Sequence, residues 1–259
     1  MAATRYSAPA LEKGLDILEL LAGEPDGLTQ NEVATRLGRT AGQIFRMLEV
    51  LARRDYIRRS TQDGRYRLSL RVFELGHRHP PIRLLIDAAL VEMRRFAEET
   101  RQSAHMSVYF DSRLVVIARA EGAGPMGFGV RLGAHFPFRP DRISAKVLSA
   151  FEDGDGPAPM RKELMRGLDA EARQHLETQL RAIRRRGYVR EPSATAQGVT
   201  DIGHPVFDAS GVAIASLAVP YLRMRDNPAG IEEARRRAGE AAAAISRRLG
   251  AEPATRKTT

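Results

Sequence analysis

Apolar side chains recur at helical spacing at the start of the chain. Leu11, Leu15 and Leu18 lie three to four residues apart, which predicts an amphipathic helix over residues 10–22 because such positions share one helix face. The glycines and the proline of residues 23–27 end this pattern.

Two more helices are predicted next, and each begins with a capping box. In Thr29-Gln-Asn-Glu32 and in Thr40-Ala-Gly-Gln43, the hydroxyl and the side chain three residues later can each accept a hydrogen bond from a backbone amide. The first of these helices stops at Gly38, which suits a left-handed C-cap. The second has an apolar face of Ile44, Met47, Leu48 and Leu51, and the residues left outside it are Ala41, Gly42, Gln43, Phe45, Arg46 and Glu49.

Two short strands are predicted after the third helix. Residues 56–60 and 65–69 alternate in character, and Asp63-Gly64 between them favours a tight hairpin. Two capped helices joined by a short turn with glycine are typical of a helix-turn-helix. With a hairpin behind them, they predict a winged helix-turn-helix.

Positive charge is concentrated on this part of the chain. The protein has a formal net charge of +9, with 41 Lys and Arg against 32 Asp and Glu. Residues 36–71 alone hold ten arginines against Glu49, Asp55 and Asp63, which is the local density that a phosphate-binding surface requires. On charge alone, a solvated helix face combined with a genomic bias toward arginine explains this block equally well.

The third helix is the element expected to enter a DNA major groove, where base edges can be read. Gln43 either pairs with an adenine or serves only as a cap, and Arg46 is expected to contact phosphate or guanine. The role of Phe45 stays open between DNA contact and packing under the hairpin. The predicted DNA-binding residues are Thr40, Ala41, Gly42, Gln43, Phe45 and Arg46 on the helix, and Arg58, Arg59, Arg65 and Arg67 on the hairpin, facing the phosphate backbone.

Beyond residue 100 the pattern changes. A linker and linker helix at residues 76–99 are predicted to separate a domain at residues 8–75 from a second domain at residues 100–250, with a frayed tail at 251–259. Strands at both ends enclosing helices predict an α+β domain with one antiparallel sheet. The strands are expected at residues 104–110, 114–118, 127–131, 198–208 and 212–219, and the helices at 84–99, 144–151, 163–186 and 231–249.

Composition and motifs exclude several classes of protein. The chain has no cysteine, which excludes disulfides, thiol nucleophiles and cysteine-ligated metals and fits a reducing compartment. No apolar run has the length of a transmembrane helix or forms a signal-peptide core, so a cytoplasmic protein without membrane contact is expected.

Candidate metal ligands and catalytic residues are few. His77 and His79 have an unconvincing spacing for a metal, and no metal or cofactor is predicted. Ser144 and Lys146 are a conceivable nucleophile pair, but no catalytic or phosphate-loop motif accompanies them, so no enzyme is expected.

The first domain resembles the DNA-binding domain of the IclR-type bacterial transcriptional regulators. The resemblance is carried by residues 10–21, 28–38 and 45–51 for its three helices, and by residues 55–59 and 64–70 for its wing. Family members often open the recognition helix with a Pro-Lys-Ser-Thr-type sequence, where this chain has Thr40-Ala-Gly-Gln43. The resemblance therefore implies the fold and DNA binding, but not the operator sequence.

The second domain resembles the effector-binding domain of the same family, a fold related to the small-molecule-sensing GAF modules. Residues 131–138, 144–151, 186–188 and 205–208 carry this resemblance. Some members bind small acids through an acidic residue, a cysteine and two hydroxyls, and the corresponding positions here are Glu191, Asp201, Ala218 and Pro220. Because the thiol has become a carboxylate and both hydroxyls are lost, the resemblance implies a cavity in the same place with a different ligand.

A basic cluster gives one indication of that ligand. Arg131, Arg139, Arg142 and Lys146 outnumber Asp141 near the predicted start of a helix, and such places favour anions. A carboxylate or phosphate metabolite is expected, with a solvated basic loop as the alternative. The predicted effector-binding residues are His105, Arg131, Ser144, Lys146, Glu191, Asp201, Ala218 and Pro220.

The sequence thus predicts a ligand-responsive transcriptional regulator. The winged helix would bind a double-stranded DNA operator as a homodimer or homotetramer, and a small-molecule effector in the larger domain would modulate that binding. The alternative hypothesis is an architectural nucleic-acid-binding or RNA-binding module without an effector.

Overall fold

A computed structural model describes residues 8–77, 80–124, 127–152, 159–225 and 228–252. The chain divides into two compact units, Met1–Arg83 and Leu84–Thr259. His79 and the end of the predicted tail lie outside the described residues, as does His77 for its side chain.

The first unit is a winged helix-turn-helix, as predicted. Both predicted capping boxes are formed, at Thr29 with Glu32 and at Thr40 with Gln43. Its core contains Ile17, Ile44 and Leu48, which are fully buried, so the apolar stripes of the helices meet as their spacing indicates. The elements are α1 (Pro9–Ala22), α2 (Gln30–Arg36), α3 (Ala41–Arg53), β1 (Ile57–Arg59), β2 (Tyr66–Leu68) and α4 (Leu70–His77).

The wing, strands β1 and β2 with their connection, returns to the start of α2. Leu28 forms an isolated bridge with Tyr66 of β2, and Gly27 just before it has a φ of +71°. A Cβ at Gly27 would lie 2.6 Å from the Tyr66 carbonyl oxygen, so the close approach of the wing requires glycine there. The hairpin is longer than the predicted tight turn, because the Ser60 amide pairs with the Arg65 carbonyl and leaves four residues between them.

Helix α4 was not predicted. None of its side chains described by the structure is buried, since Leu70, Val72 and Leu75 are all exposed, so the segment has no apolar stripe facing a core. The Ser69 hydroxyl starts the helix by accepting a hydrogen bond from the Arg71 amide at 3.0 Å.

The second unit is an α+β domain with one six-stranded sheet, and all of its strand pairs are antiparallel, as predicted. Strand order is β5-β4-β3-β8-β7-β6. Helices α5 and α9 pack on one face of the sheet, and α6, α7 and α8 on the other. The elements are α5 (Pro80–Thr100), β3 (Ala104–Phe110), β4 (Arg113–Ala120), β5 (His135–Pro137), α6 (Ile143–Ala150), α7 (Pro159–Leu164), α8 (Ala170–Arg186), β6 (Val189–Pro192), β7 (Val199–Phe207), β8 (Ala213–Leu222) and α9 (Ile231–Arg248).

Two predicted elements of this unit are wrong. Residues 127–131 form no strand, and the strand beside β4 is instead β5. Gly129 lies against Ser103, where a Cβ would be 3.3 Å from the side chain, so this segment is a loop held close to the domain.

The predicted helix 163–186 is broken into α7 and α8. Gly167 adopts a φ of +76° between them, and the Asp169 carboxylate caps α8 by accepting from the Ala172 amide at 2.8 Å. Strand β6, which follows α8, was also missed, because four residues are too few to display an alternating pattern.

Candidate nucleic-acid interface and ligand cavity

The N-terminus of α3 is closed by its own side chains. The Thr40 hydroxyl accepts from the Gln43 amide at 3.4 Å, and the Gln43 Oε1 atom accepts from the Thr40 amide at 3.3 Å. A bidentate contact to adenine needs both the oxygen and the nitrogen of a glutamine amide. The Oε1 atom of Gln43 is occupied by the cap, so Gln43 must leave the cap to make a bidentate contact with adenine. With the cap intact, only its Nε2 atom can donate a hydrogen bond to a base.

The exposed face of α3 is the one predicted from its sequence. Phe45 is 47 % exposed, so it does not pack under the wing, and Gly42 and Arg46 are exposed beside it. Gln30 at the start of α2 donates from Nε2 to the Ala41 carbonyl at 3.1 Å and fixes the entrance of α3. Sequence reasoning missed Gln30, because nothing in its local pattern indicates which carbonyl it would reach.

Six arginines of residues 36–71 have no carboxylate partner among the residues that the structure describes. Arg46 on α3 and Arg58 on β1 are both exposed, which leaves their guanidinium groups available to phosphates. Arg59 lies over the ring of Tyr66, 5.6 Å from its centroid. The full set is Arg39, Arg46, Arg53, Arg54, Arg58 and Arg59.

The other four arginines of this segment are held in ion pairs. Arg65 donates to the Glu32 carboxylate at 2.9 Å and to the Gly27 carbonyl at 2.9 Å. Arg67 contacts Asp63 at 2.7 Å within the wing itself. Two of the four wing arginines expected to face phosphates are thus directed at the protein, because carboxylates within reach compete for them. Arg36 with Glu24 and Arg71 with Glu74 complete the set.

A cavity of about 80 Å³ lies in the second unit between the start of α6 and the sheet. Strands β3, β4, β5, β7 and β8 all contribute to its wall, so the sheet forms its floor. Its lining side chains include a basic group, two carboxylates, three hydroxyls and several apolar groups. They are His105, Ser107, Leu114, Phe128, Val130, Phe136, Asp141, Arg142, Ile143, Ser144, Thr195, Asp201 and Pro220.

The structure brings four of the eight predicted effector residues to this cavity: His105, Ser144, Asp201 and Pro220. The other four do not line it. Ala218 is buried in β8 beside His105, and Arg131 lines a separate depression with Arg119. Lys146 and Glu191 satisfy each other in an ion pair with 2.6 Å between Nζ and Oε2.

Two ionisable groups of the cavity, His105 and Asp201, have shifted pKa values. Burial lowers the pKa of the His105 imidazole to about 4, and its Nδ1 atom is enclosed without a partner among the described residues. Burial raises the pKa of the Asp201 carboxyl, while a hydrogen bond from Ser193 and the charge of Arg142 act in the opposite direction. A neutral imidazole and a carboxyl of raised pKa together suit a ligand that carries a hydrogen-bonding polar group.

Arg142 is the cavity's basic group, and sequence reasoning had counted it only within the basic cluster. It occupies the N-cap position of α6, and its buried Nε atom has no hydrogen-bond partner in the described part of the chain. The nearest carboxylate oxygen, from Asp141, is 3.7 Å away, beyond hydrogen-bonding distance. Its guanidinium lies 5.3 Å from the centroid of the Phe136 ring, which holds it against the cavity wall. In the sequence, Arg142 is marked only by its position just before a predicted helix. The same basic cluster holds three other cations, Arg131, Arg139 and Lys146, and the sequence does not separate Arg142 from them.

The described residues contain no group of three or more His, Asp or Glu side chains arranged to hold a metal ion. No helix among them is both long and apolar enough to cross a bilayer.

Two family models match the chain. The IclR helix-turn-helix domain matches residues 10–61, and the model described as the bacterial transcriptional regulator IclR C-terminal domain matches residues 83–247. The two matches fall in the same order as the two units of the structure.

Similar proteins are transcriptional regulators by name. The HTH-type transcriptional regulator KdgR of Escherichia coli is 26 % identical over 253 residues, which cover 94 % of each chain. The glycerol operon regulatory protein of Streptomyces griseus is 25 % identical over 93 % of this chain and 96 % of its own. Among solved structures, an IclR homologue from Microbacterium hydrocarbonoxydans complexed with 4-hydroxybenzoate has a TM-score of 0.76 at 22 % identity, covering 93 % of this chain and 98 % of that one. Pseudomonas aeruginosa HmgR has a TM-score of 0.74 at 22 % identity, covering 94 % and 100 %.

Proposed function

This chain belongs to the IclR family of bacterial transcriptional regulators, and from that premise we propose how its residues recognise DNA and an effector. The protein is a ligand-responsive DNA-binding regulator. The hypothesis of a nucleic-acid-binding module without an effector is not retained, because the C-terminal family model spans the second unit. We propose a binding protein without a catalytic step, acting in the cytoplasm, since the relatives above are named as regulators.

The exposed face of α3 is the proposed base-reading surface. Arg46 would contact phosphate or a guanine edge, and Phe45 would contact a thymine methyl group, a pairing that suits an exposed aromatic ring in the major groove. Gln43 contributes through Nε2 or after leaving the cap, and Thr40, Ala41 and Gly42 permit close approach of the helix. Arg58 and Arg59 on the wing would bind the phosphate backbone. Arg65 and Arg67 are assigned a supporting role, because their ion pairs shape the wing.

The proposed effector is a small carboxylic acid with an aromatic or planar apolar body, and the cavity of about 80 Å³ would have to widen to admit it, since benzene needs about 150 Å³. Its carboxylate would bind the guanidinium of Arg142 at the start of α6, where free backbone amides add to the favourable field. Phe128 and Phe136 would flank the body, and His105 and Asp201 would bind a polar group at the other end. The observation that carries this proposal is the buried Arg142 Nε atom without a partner in the described residues. The neighbour complexed with 4-hydroxybenzoate supports the same class of ligand.

Lys146 and Glu191 would act indirectly. Their ion pair connects α6 to β6, and Glu191 is paired across the sheet with Asp201 of the cavity. The pair would hold the start of α6, and with it Ser144, against the sheet beside the bound effector. Ala218 and Pro220 would contribute only shape, while Arg131 is left outside the effector site.

The functional unit is proposed to be a homodimer that binds a roughly palindromic operator. The first unit carries apolar side chains on exposed helix faces, with Leu11 63 % exposed on α1 and Leu70 78 % exposed on α4. A second copy of the chain is the occupant that such faces suit, because two half-sites need two identical wings. Multi-angle light scattering tests this dimer by comparing the molar mass of the wild type with that of a Leu11→Glu/Leu70→Glu variant, in which charges on both faces should oppose association. A wild-type monomer would refute the dimer.

The experiment that tests DNA reading uses the DNA upstream of the protein's own gene. In a gel-shift titration, Arg46→Ala is expected to weaken binding at least about tenfold, since a contact to a base or phosphate is lost. The matched control is Arg173→Ala, which removes an exposed arginine of α8 in the second unit. Equal binding by the Arg46 variant and the wild type would contradict the assignment.

A further inference from the structure

A second cavity, of about 350 Å³, lies on the opposite face of the sheet from the effector cavity. It is bounded by α9, by the part of β7 that extends beyond β6, and by the end of α8. Its wall is made of backbone and small apolar groups, including Gly187, Pro205, Gly239, Ala242 and Ala243. Arg247 and Glu252 also line it and carry opposite charges, so the opening has no net charge.

His204 and Ser246 are the buried polar residues of this wall, and the Ser246 hydroxyl already accepts from the Phe207 amide and donates to the Ala242 carbonyl. His204 is 6 % exposed on β7, and its ring stacks on Tyr188 with 5.7 Å between centroids. Gly239 of α9 covers the imidazole so closely that a Cβ there would lie 2.9 Å from Cε1. The ring therefore has close neighbours on two sides, Tyr188 and Gly239.

Only one nitrogen of His204 has a partner. The imidazole donates to the backbone carbonyl of Arg235, whereas Nε2 is buried with no hydrogen-bond partner among the described residues. The bonded nitrogen is therefore Nδ1, which carries the proton and leaves Nε2 as an acceptor. Burial lowers the pKa of this imidazole to about 4, so the ring is neutral near pH 7. A buried acceptor without a donor is costly and calls for a partner.

We propose that this cavity is a second ligand site, which binds a small neutral aromatic molecule carrying one hydroxyl group that donates to His204 Nε2 once a small tilt of the ring brings that enclosed atom to the cavity surface. The volume is sufficient, since an apolar cavity of about 150 Å³ admits benzene. The apolar wall suits an aromatic body, and the neutral imidazole offers no charge to an acid. The site differs in ligand class from the effector cavity, where Arg142 favours a carboxylate.

The test uses 4-fluorophenol and 4-fluoroanisole as probes. Their binding to the full-length protein is measured by ¹⁹F NMR titration near pH 7. The two probes have similar apolar bodies, but only the phenol has a donor. The phenol is expected to bind about fivefold to tenfold more tightly, which is the worth of one neutral hydrogen bond. The Ala243→Leu variant, which adds volume from an exposed helix position, should lose binding of both probes. Ala172→Leu on α8 is the matched control and should bind both as the wild type does.

Two further measurements locate the hydroxyl. His204→Phe keeps a ring against Tyr188 and should abolish the preference for the phenol while retaining the anisole. If this variant does not fold, the side-chain ¹⁵N resonance of His204 Nε2 in the wild type replaces it, and it should shift with the phenol only. Equal affinities for the two probes, or no binding at all, would overturn the proposal. So would phenol binding that survives Ala243→Leu and disappears in Arg142→Ala, because the probe would then occupy the effector cavity.

Discussion

Arg65 on the wing and Glu32 on α2 form an ion pair across 33 residues of chain, with 2.9 Å between Nη1 and Oε2. The same carboxylate accepts from the Thr29 amide at 2.7 Å, so one side chain both caps α2 and holds the wing. The hydrogen bond from the Thr29 backbone is the main cause that keeps the pKa of Glu32 below its usual value. The arrangement ties the wing to the helix that precedes the recognition helix.

Arg65→Ala is therefore expected to lower the melting temperature of the protein rather than to remove a DNA contact. The loss should be modest, roughly 2–4 °C, because both partners are partly exposed. Differential scanning calorimetry checks it. Glu32→Gln should cause a similar or larger decrease, since it weakens the cap as well. An unchanged melting temperature combined with a large loss of DNA affinity would show that Arg65 contacts DNA directly.

Arg58→Ala should have the opposite profile. Arg58 has no carboxylate partner in the described residues and is exposed, so its loss should leave the melting temperature unchanged. Losing one phosphate contact is expected to reduce the slope of log affinity against log salt by about 1. Fluorescence anisotropy with labelled DNA at several salt concentrations measures this slope. A slope equal to that of the wild type would remove Arg58 from the interface.

The difference between these two arginines shows where sequence reasoning ends. The capping boxes, the apolar face of α3 and its exposed residues were predicted, because each depends on residues three or four positions apart. Arg65 and Arg58 look alike in sequence, since the pairing with Glu32 depends on the fold. Four predicted effector residues, His105, Ser144, Asp201 and Pro220, line the proposed effector cavity. Its basic group was not singled out, because Arg142 was one of four equivalent cations. Helix α4 and strand β6 were missed because both are short, with eight and four residues.

In the effector cavity, Arg142→Lys is expected to weaken binding of an aromatic acid. A lysine keeps the charge but loses the planar fork that binds a carboxylate through two hydrogen bonds. With 4-hydroxybenzoate or benzoate as probe, isothermal titration calorimetry should show at least about a tenfold loss. The control is Arg139→Lys, which changes an exposed arginine of the same loop that does not line the cavity. An equal loss in both variants would show that the loop's charge, and not Arg142, attracts the acid.

The ion pair of Lys146 with Glu191 gives a stability prediction. Lys146 has 8 % of its side chain exposed, so Glu191→Gln would leave a nearly buried ammonium group without its counter-charge. The expected decrease in the free energy of unfolding is about 2 kcal/mol, below the value for a fully buried pair because Glu191 is one-third exposed. Urea denaturation measures it. The double variant Lys146→Met/Glu191→Gln should recover most of the loss, and a double variant less stable than Glu191→Gln alone would contradict this account.

Acid should destabilise the protein through His204. Burial holds the pKa of this imidazole at about 4 in the folded state, against about 6.5 when the chain is unfolded. Between these values the unfolded state binds more protons, so the contribution is fully present above pH 6.5 and is lost as the pH falls toward 4. The shift corresponds to about 3 kcal/mol.

Urea denaturation from pH 7 to pH 5 measures the slope of the free energy of unfolding against pH. Asp201, whose pKa is raised, contributes to this slope with the opposite sign, and comparing variants that all retain Asp201 removes its contribution. His204→Phe should reduce the slope without abolishing it, because the buried His105, whose pKa is also about 4, contributes in the same direction. His175→Gln, at an exposed position on α8, should leave the slope unchanged. Identical slopes in the two variants would exclude His204 as an acid-sensitive group.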